Sequence, residues 1–317
     1  MSRNSRARLG PILFMVALGV AVITVPLAGP IAATTERRLE SFPVDAGRTF
    51  LLVLKSCGRS ACPLVVRLTG GSPSAQELPL EWGVGRGPAA RTKPDINSGV
   101  LGALSADTIP QGWTVGEEEN AVSTYARLVR LAPGRAGLLV TQSGGFDHPK
   151  RRHELFVAVG PRLRSEFAIQ DLQGPSWSAM DAVDLGGDRS VLVHVSTFEP
   201  GADDQPDTLE VSRHVWDAKS DKLRVMDAAE GPAVQALTVG KFATIAAARQ
   251  EKAAKPNCLG AFVVVPASSL AATGNPKDIV LAAASDRHAE IEAARARVGK
   301  CAPGLPIAIV SMSQRKT

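Results

Sequence analysis

Two stretches of the chain repeat one pattern: residues 129–140 read VRLAPGRAGLLV, and residues 183–194 read VDLGGDRSVLVH. Each places two short runs of β-forming residues around a turn of Pro, Gly or Asp, which is typical of an antiparallel hairpin. Leu155 matches Leu209 at the same offset of 54 residues, so the pattern predicts two successive four-strand units that resemble propeller blades. Because two units are too few to close a propeller, an antiparallel sandwich or a stack of meanders is the better prediction.

Composition and charge narrow the class of protein. The 317 residues are 44% hydrophobic and 21% charged, which excludes a wholly disordered chain and a polytopic membrane protein. The 29 glycines and 22 prolines favour many turns over long helices. Residues 1–33 hold three arginines and no acid, so the rest of the chain has 36 − 3 = 33 basic and 31 acidic residues, a net charge of +2. With few aromatic residues as well, the sequence predicts no nucleic-acid partner.

The N-terminus has the features of an export signal or of a membrane anchor. Arg3, Arg6 and Arg8 precede residues 9–30, which contain no charged residue. A basic segment before an apolar one is typical of a signal peptide, yet no small-x-small cleavage pattern follows. A stretch of about 20 apolar residues also suffices to span a bilayer. We therefore expect a periplasmic or extracytoplasmic protein, with residues 1–33 either removed as a signal peptide or kept as an anchor in the inner membrane.

The four cysteines are consistent with an oxidising compartment. Cys57 and Cys62 flank a short loop between two strand-like runs, where a disulfide across the mouth of a hairpin forms easily. Their spacing is not C-x-x-C, and no second Cys/His pair of zinc spacing accompanies them, so a metal or redox role is disfavoured. Cys258 and Cys301 would then pair with each other by elimination.

The chain divides into the N-terminal segment, a β-rich region and a C-terminal region with helices. Residues 42–227 are predicted to form an antiparallel β-rich domain that begins with the hairpin of Cys57 and Cys62. Turn formers without periodicity fill residues 70–120, and we expect an irregular insert there. Residues 230–317 switch twice to a helical period, in the β-α-β-β-α-β order of a split βαβ domain. The expected fold class is therefore α+β.

The C-terminal region resembles the sporulation-related repeat (SPOR) family. The likeness rests on the element order, on the run Val239-Gly240-Lys241-Phe242 and on Ala248-Arg249 in the Ala-rich first helix. The resemblance implies one membrane span and a C-terminal periplasmic domain that binds peptidoglycan glycan strands. On the exposed sheet face of such a domain, Thr238 and Lys241 would contact sugar hydroxyls or carboxylates.

The expected topology also bears on the second pair of cysteines. Cys258 follows the first helix of the C-terminal region and Cys301 follows the second. In a split βαβ domain these two loops lie at opposite ends of the sheet, which makes a disulfide between them awkward. Either the two cysteines stay reduced, or the domain is arranged differently.

One dense cluster of potential ligands is present. Asp147, His148, His153 and Glu154 lie in the run FDHPKRRHE, residues 146–154. A metal or a general base needs ligands held on fixed elements, whereas this run is interrupted by Pro and strongly basic, and we interpret it as a solvated hairpin loop. The H-E-x-x-H, G-x-S-x-G and S-x-x-K motifs are missing from the sequence. The sequence therefore predicts no catalytic residue, no metal site and no cofactor.

Three functions remain after these exclusions. The first is a non-enzymatic protein of the bacterial cell envelope that acts in protein–protein interaction or assembly. The second is binding of peptidoglycan glycan strands through the SPOR-like domain, and the third is an extracytoplasmic hydrolase with dispersed catalytic residues. The expected partner is an envelope protein or a peptidoglycan glycan, and the membrane is contacted through the N-terminal segment if that segment is not cleaved.

Overall fold

The computed structural model describes most of the chain beyond the N-terminal segment. Described are residues 36–55, 63–71, 75–82, 89–92, 112–115, 121–144, 150–171, 176–200, 202, 204–227, 230, 233–270, 275, 277–285 and 288–312. The predictions for residues 1–33, Cys57, Cys62 and His148 lie outside these ranges. Within them, no helix combines the length and the apolar character that crossing a membrane requires.

Antiparallel sheets, which we number in chain order, build the compact unit Thr35–Thr317. The first sheet comprises β1 Arg37–Pro43, β2 Thr49–Leu54, β3 Leu64–Thr69 and β4 Gln76–Pro79. The second comprises β5 Ala89–Thr92, β6 Gly112–Val115, β7 Val122–Ala132, β8 Arg135–Gly144, β9 Lys150–Val159 and β10 Arg162–Asp171. The third comprises β11 Ser176–Gly186, β12 Arg189–Phe198, β13 Thr208–Asp217 and β14 Lys222–Val225. In all three, each strand pairs with its neighbour in the chain.

The fourth sheet carries the helices. Its strands are β15 Gln235–Phe242, β16 Val263–Pro266, β17 Ile279–Ser285 and β18 Ile307–Ser311, in the spatial order β16-β17-β15-β18. Helices α1 Ile245–Ala254 and α2 Pro256–Leu259 connect β15 to β16, and α3 His288–Cys301 connects β17 to β18. The Thr244 hydroxyl caps α1 by accepting the Ala247 N–H at 3.2 Å, and Pro256, which has no N–H, begins α2.

The prediction of a β-rich, antiparallel chain is confirmed. The first repeat unit forms β7 to β10, four strands of the six-stranded second sheet, and the second unit forms the four-stranded third sheet. Tight turns join these strands, as at Pro133-Gly134 between β7 and β8. Gly134 there has a φ of +70°, which glycine adopts without steric cost. The turn residues therefore set the ends of the strands.

The sheets stack face to face, and the helices cover the last of them. Successive side chains of a strand point to opposite faces, so each inner sheet contributes to the packing on both sides. Four buried clusters each contain residues of two neighbouring layers: Phe50 and Phe156 (first and second sheets), Leu155 and Trp216 (second and third), Val193 and Val263 (third and fourth), and Leu281 and Ile291 (fourth sheet and α3). The fourth sheet is consequently covered on both faces, by the helices and by the third sheet.

The irregular insert expected at residues 70–120 contains the short strands β4, β5 and β6, so that expectation is wrong for these residues. Each of these strands is 4 residues long, too short to show a period in the sequence. Gly112 also makes β6 hard to predict from the sequence, because glycine is common in turns. A Cβ at Gly112 would lie 2.2 Å from the Tyr125 ring, so the close approach of β6 to β7 requires glycine.

Cys258 and Cys301 form a disulfide, with a Cα–Cα distance of 6.4 Å. The expectation that this disulfide would be awkward is wrong, because the two cysteines do not lie at opposite ends of the sheet. The short helix α2 turns the chain aside after α1, and β16 begins at Val263, opposite Ala282 in the middle of β17. The chain therefore re-enters the sheet before it reaches the far end of the sheet. This shorter path allows Cys258 to meet Cys301, the last residue of α3.

Candidate functional site

The structure places the two residues expected to contact glycan in different surroundings. Thr238 is 7% exposed, and its hydroxyl donates to the Ala308 carbonyl at 3.1 Å. It shares a face of β15 with Ala236, which packs against the third sheet. Lys241 is exposed near the end of the same strand. The sheet face that was expected to be exposed is therefore covered, because the third sheet lies on it.

The run Val239–Phe242, which carries the family resemblance, forms a β-bulge. The pairing of β15 with β17 shifts register between Val239 and Phe242, and Gly240 adopts a φ of +75°. A Cβ on Gly240 would lie 2.3 Å from the Phe242 ring. Glycine and the aromatic ring at this spacing therefore have a structural role, in which the ring packs over bare backbone.

Replacing Gly240 by alanine is expected to lower the free energy of unfolding by about 2 kcal/mol or more, because alanine combines an unfavourable φ with a clash against the Phe242 ring. Urea unfolding at neutral pH measures the difference. Lys241→Ala is the matched control, since its exposed neighbouring side chain should contribute less than about 0.5 kcal/mol. Equal effects of the two substitutions would show that the bulge does not need glycine.

The histidine-containing run interpreted as a solvated loop belongs to strand β9 from residue 150 onward, and Arg151, His153 and Glu154 in it are buried. β9 is flanked by β8 and β10, so its odd-numbered residues face the third sheet and its even-numbered residues face the first. His153 is 1% exposed. Arg151 donates to the Ser178 carbonyl at 2.7 Å, and Arg152 pairs with Glu81 at 2.7 Å. These arginines are therefore not an exposed basic patch.

His153 lies between the second and third sheets in a polar part of the core. Its Nδ1 is 2.8 Å from the Thr141 hydroxyl, and its Nε2 is 2.8 Å from the Ser178 hydroxyl. The His194 ring contacts it edge-on, with ring centroids 5.6 Å apart. Burial, with the nearby His194 and Arg151 charges, holds the pKa of His153 well below its usual value. The neutral ring is thus the stable form.

This Ser–His contact does not form a catalytic pair. Ser178 is fully buried and His153 nearly so, whereas a nucleophile must reach its substrate. Among the residues that the structure describes, no group of three or more His, Cys, Asp or Glu side chains is arranged to hold a metal ion. His153 packs against His194 and is within hydrogen-bond distance of Thr141 and Ser178.

A surface cluster around Trp113 is the better candidate site. Trp113 on β6 lies directly opposite Arg91 on the edge strand β5, and the Arg91 guanidinium carbon lies 4.3 Å from the centroid of the indole ring. Arg37 of β1 approaches the same ring at 5.7 Å. Glu40, also on β1, pairs with Arg91 at 2.6 Å and accepts the indole N–H at 3.4 Å. We call these four residues the Trp113 cluster.

The Trp113 cluster forms where the edges of the first and second sheets meet. Trp113 is half-buried and packs against the core between these sheets. The Arg91 side chain is 45% exposed, so the stacked arginine and ring remain accessible. Cation–π stacking and the shared Glu40 carboxylate hold the side chains in one arrangement. Such a surface can bind an apolar group beside a negative charge.

The sequence pattern did not point to this cluster. Arg37, Arg91 and Trp113 are far apart in the chain, and two of them lie in or beside the stretch predicted to be irregular. The available signal was the tryptophan itself, one of 4 in the chain, placed beside a glycine. No protein-family model, curated protein or solved structure matches this chain. The function is therefore argued from the site.

Proposed function

We propose that this protein is a non-enzymatic component of the bacterial cell envelope that binds another envelope protein through the Trp113 cluster. The observation that carries the proposal is the accessible Trp113 ring, held between Arg37 and Arg91 at the meeting of two sheet edges. Tryptophan and arginine are enriched among the residues that dominate binding energy at protein interfaces. Glu40 fixes the arrangement in advance, which lowers the entropy lost on binding.

The charges of the cluster favour one kind of partner. The positive charges of Arg37 and Arg91 exceed the single carboxylate of Glu40. A partner segment with an apolar side chain next to an acidic one would cover the ring and pair with the arginines. The proposed partner is therefore an acidic, partly apolar protein segment.

Two further features support an extracytoplasmic location. Arg3, Arg6 and Arg8 before the uncharged residues 9–30 are typical of exported or anchored proteins. The disulfide between Cys258 and Cys301 is of a kind that persists in oxidising compartments. We propose that the chain acts in the periplasm, held at the inner membrane by residues 9–30 if these are not removed.

Glycan binding is the second candidate, favoured by the fourth sheet. Its strand order β16-β17-β15-β18, with the helices on one face, is that of a split βαβ arrangement such as the SPOR resemblance implies. A glycan would need a surface other than the face that packs on the third sheet. The exposed Lys241 lies at the rim of that face and is the residue that such binding would retain.

Photo-crosslinking in intact cells tests the protein-binding proposal. A benzophenone amino acid at Arg37, which is exposed and lies 5.7 Å from the Trp113 ring, is expected to link the full chain to a second protein. Trp113→Ala should lower the yield at least tenfold, since an anchor residue of this type contributes about 2 kcal/mol or more. Arg91→Ala, on an exposed side chain, should lower the yield without disturbing the fold.

The same probe at Lys219, exposed in the turn between β13 and β14, is the control position. Crosslinks that form equally at Lys219, or that persist in both variants, would refute the proposal. Retention of the full chain on purified peptidoglycan sacculi, unchanged by Trp113→Ala, would favour glycan binding instead.

A further inference from the structure

The edge strand β18 differs from the other sheet edges in the described part of the chain. The edge strands β1, β4, β5, β10, β11 and β14 each contain at least one charged residue. Charges on an edge strand discourage pairing with another chain. β18 reads IAIVS from Ile307 to Ser311, without charge or proline, and three of its residues are only half-buried. β18 therefore lacks the charged residues and proline that usually prevent an edge strand from pairing with another chain.

The opposite edge of the same sheet is closed by a side chain. β16 is also uncharged, but Asp207 lies along it: the Asp207 N–H donates to the Val264 carbonyl, and its carboxylate accepts the Val264 N–H, both at 2.7 Å. Pro266 ends that strand and lacks an N–H of its own. One edge of the fourth sheet is thus capped from within the chain, whereas the residues that the structure describes place no such cap on the other.

The register of β18 identifies the backbone groups that point outward. The Met312 N–H donates to the Val234 carbonyl, and the Gly240 N–H donates to the Pro306 carbonyl. Because hydrogen-bonded positions alternate along an antiparallel strand, the even-numbered residues of β18 bond to β15. The N–H and C=O groups of Ile307, Ile309 and Ser311 point away from the sheet.

We infer that β18 pairs with β18 of a second copy of this chain, antiparallel and centred on Ile309. In this register Ile309 faces Ile309 of the second copy, and Ile307 faces Ser311 in both directions. The outward N–H and C=O groups of all three residues then find partners across the two-fold axis, and the two fourth sheets become one continuous sheet. The strand is complementary to itself because its odd-numbered residues are symmetric about Ile309.

Two charged residues of α3 are also compatible with this two-fold axis. Glu290 bonds to Ser285 of β17 at 2.8 Å, so Glu292 and Arg295 lie on the opposite flank of the helix, on the side of β18. These two residues are exposed and pair with each other at 3.6 Å within one chain. His288, hydrogen-bonded to Gln235 at 2.9 Å, marks the height of the start of β15.

Ile309 pairs with Leu237 of β15. Leu237 lies two residues beyond Gln235, which corresponds to about 7 Å along the strand. Helix α3 reaches that height at about residues 292–293, since it rises about 1.5 Å per residue. The axis therefore passes beside Glu292 and Arg295. With the two copies of α3 antiparallel, Glu292 of each copy faces Arg295 of the other, so opposite charges meet.

Disulfide trapping of the full chain tests this pairing. Ile309→Cys is expected to give a disulfide-linked dimer on non-reducing gels, because the two Cα atoms would lie about 5.5 Å apart, within the reach of a disulfide. Ala308→Cys is the matched control: it is more exposed than Ile309, but its two copies would lie about 7–8 Å apart, beyond easy bridging. We expect at least a tenfold higher dimer yield for Ile309→Cys.

A second variant tests the pairing without a crosslink. Ile309→Lys places charges opposite each other at the centre of the interface and should convert a dimer of the full chain into a monomer in light scattering. Equal crosslinking of the two cysteine variants, a crosslink from position 309 to a different protein, or a wild-type chain that is already monomeric would overturn the inference. The pairing uses no residue of the Trp113 cluster, so either proposal can fail while the other stands.

Discussion

Acidification from pH 8 to pH 4 is expected to lower the free energy of unfolding by about 3 kcal/mol through His214 alone. His214 lies in the same inter-sheet core as His153, with its ring centroid 5.3 Å from that of Phe167. Burial, aided by the charge of His194, lowers the pKa of His214 from 6.5 to about 4. His153, whose pKa is also lowered, adds to the loss.

The sign follows from proton binding in the two states. Below about pH 6.5 the unfolded chain binds protons at these histidines, whereas the folded chain does not until the pH approaches 4 at His214. The unfolded state then binds more protons, so stability falls as the pH falls. The contribution is complete above about pH 6.5 and is lost progressively down to pH 4.

Urea unfolding followed by tryptophan fluorescence between pH 8 and pH 4 measures this profile, because Trp216 is buried in the same core. His214→Gln keeps a polar side chain beside Ser212 but cannot titrate, so it should remove about 3 kcal/mol of the loss of stability between pH 6.5 and pH 4. His288→Gln is the control, since 69% of the His288 side chain is exposed on α3. Parallel profiles for the wild type and His214→Gln would rule out the predicted contribution from His214.

Replacing Asp207 by alanine is expected to lower the free energy of unfolding by about 3 kcal/mol. Only 1% of the Asp207 side chain is exposed, and it pairs with Arg249 of α1 at 3.0 Å as well as with the Val264 N–H. Alanine would leave a buried backbone donor and a guanidinium without this acceptor. The third sheet and the fourth sheet would thereby lose the polar contact that aligns them.

Urea unfolding at neutral pH measures this loss as well. Asp207→Asn retains an oxygen for the Val264 N–H but not the negative charge, so its effect should be intermediate. Asp204→Ala, three residues earlier and exposed, should change stability by less than about 0.5 kcal/mol. If Asp207→Ala is no more destabilising than Asp204→Ala, the carboxylate does not hold the two sheets together.

Local sequence patterns predicted the secondary structure correctly wherever the conformation of a segment depends mainly on its own residues. Apolar runs around Pro133-Gly134 and Gly186-Gly187 predicted the long hairpins, and the Ala-rich period before Pro256 predicted α1. The strands β5 and β6 escaped prediction because four residues show no period. The interpretation of residues 150–154 as a loop was wrong because Arg151 and His153 look solvated, whereas partners on the third sheet allow their burial.

The candidate site lay beyond local patterns for a related reason. Arg37, Arg91 and Trp113 belong to three strands. Pairing of β5 with β6 sets Arg91 opposite Trp113, and the stacking of the first sheet on the second brings Arg37 to them. The partners of Asp207 and of the Cys258–Cys301 disulfide are likewise remote in the chain. No spacing within a short window encodes such contacts.

The amino-acid sequence by itself determined that this chain is β-rich, where its repeated hairpins turn and where helices replace strands. These properties depend on backbone preferences and on the alternation of apolar side chains over a few residues. The tertiary structure alone decided that the sheets stack in order, that the face of Thr238 is covered, that His153 is buried and neutral, and that β18 is an edge strand in the described part of the chain. Those properties depend on which faces of the sheets and helices pack together. Burial of whole apolar faces between elements distant in the chain determines that packing.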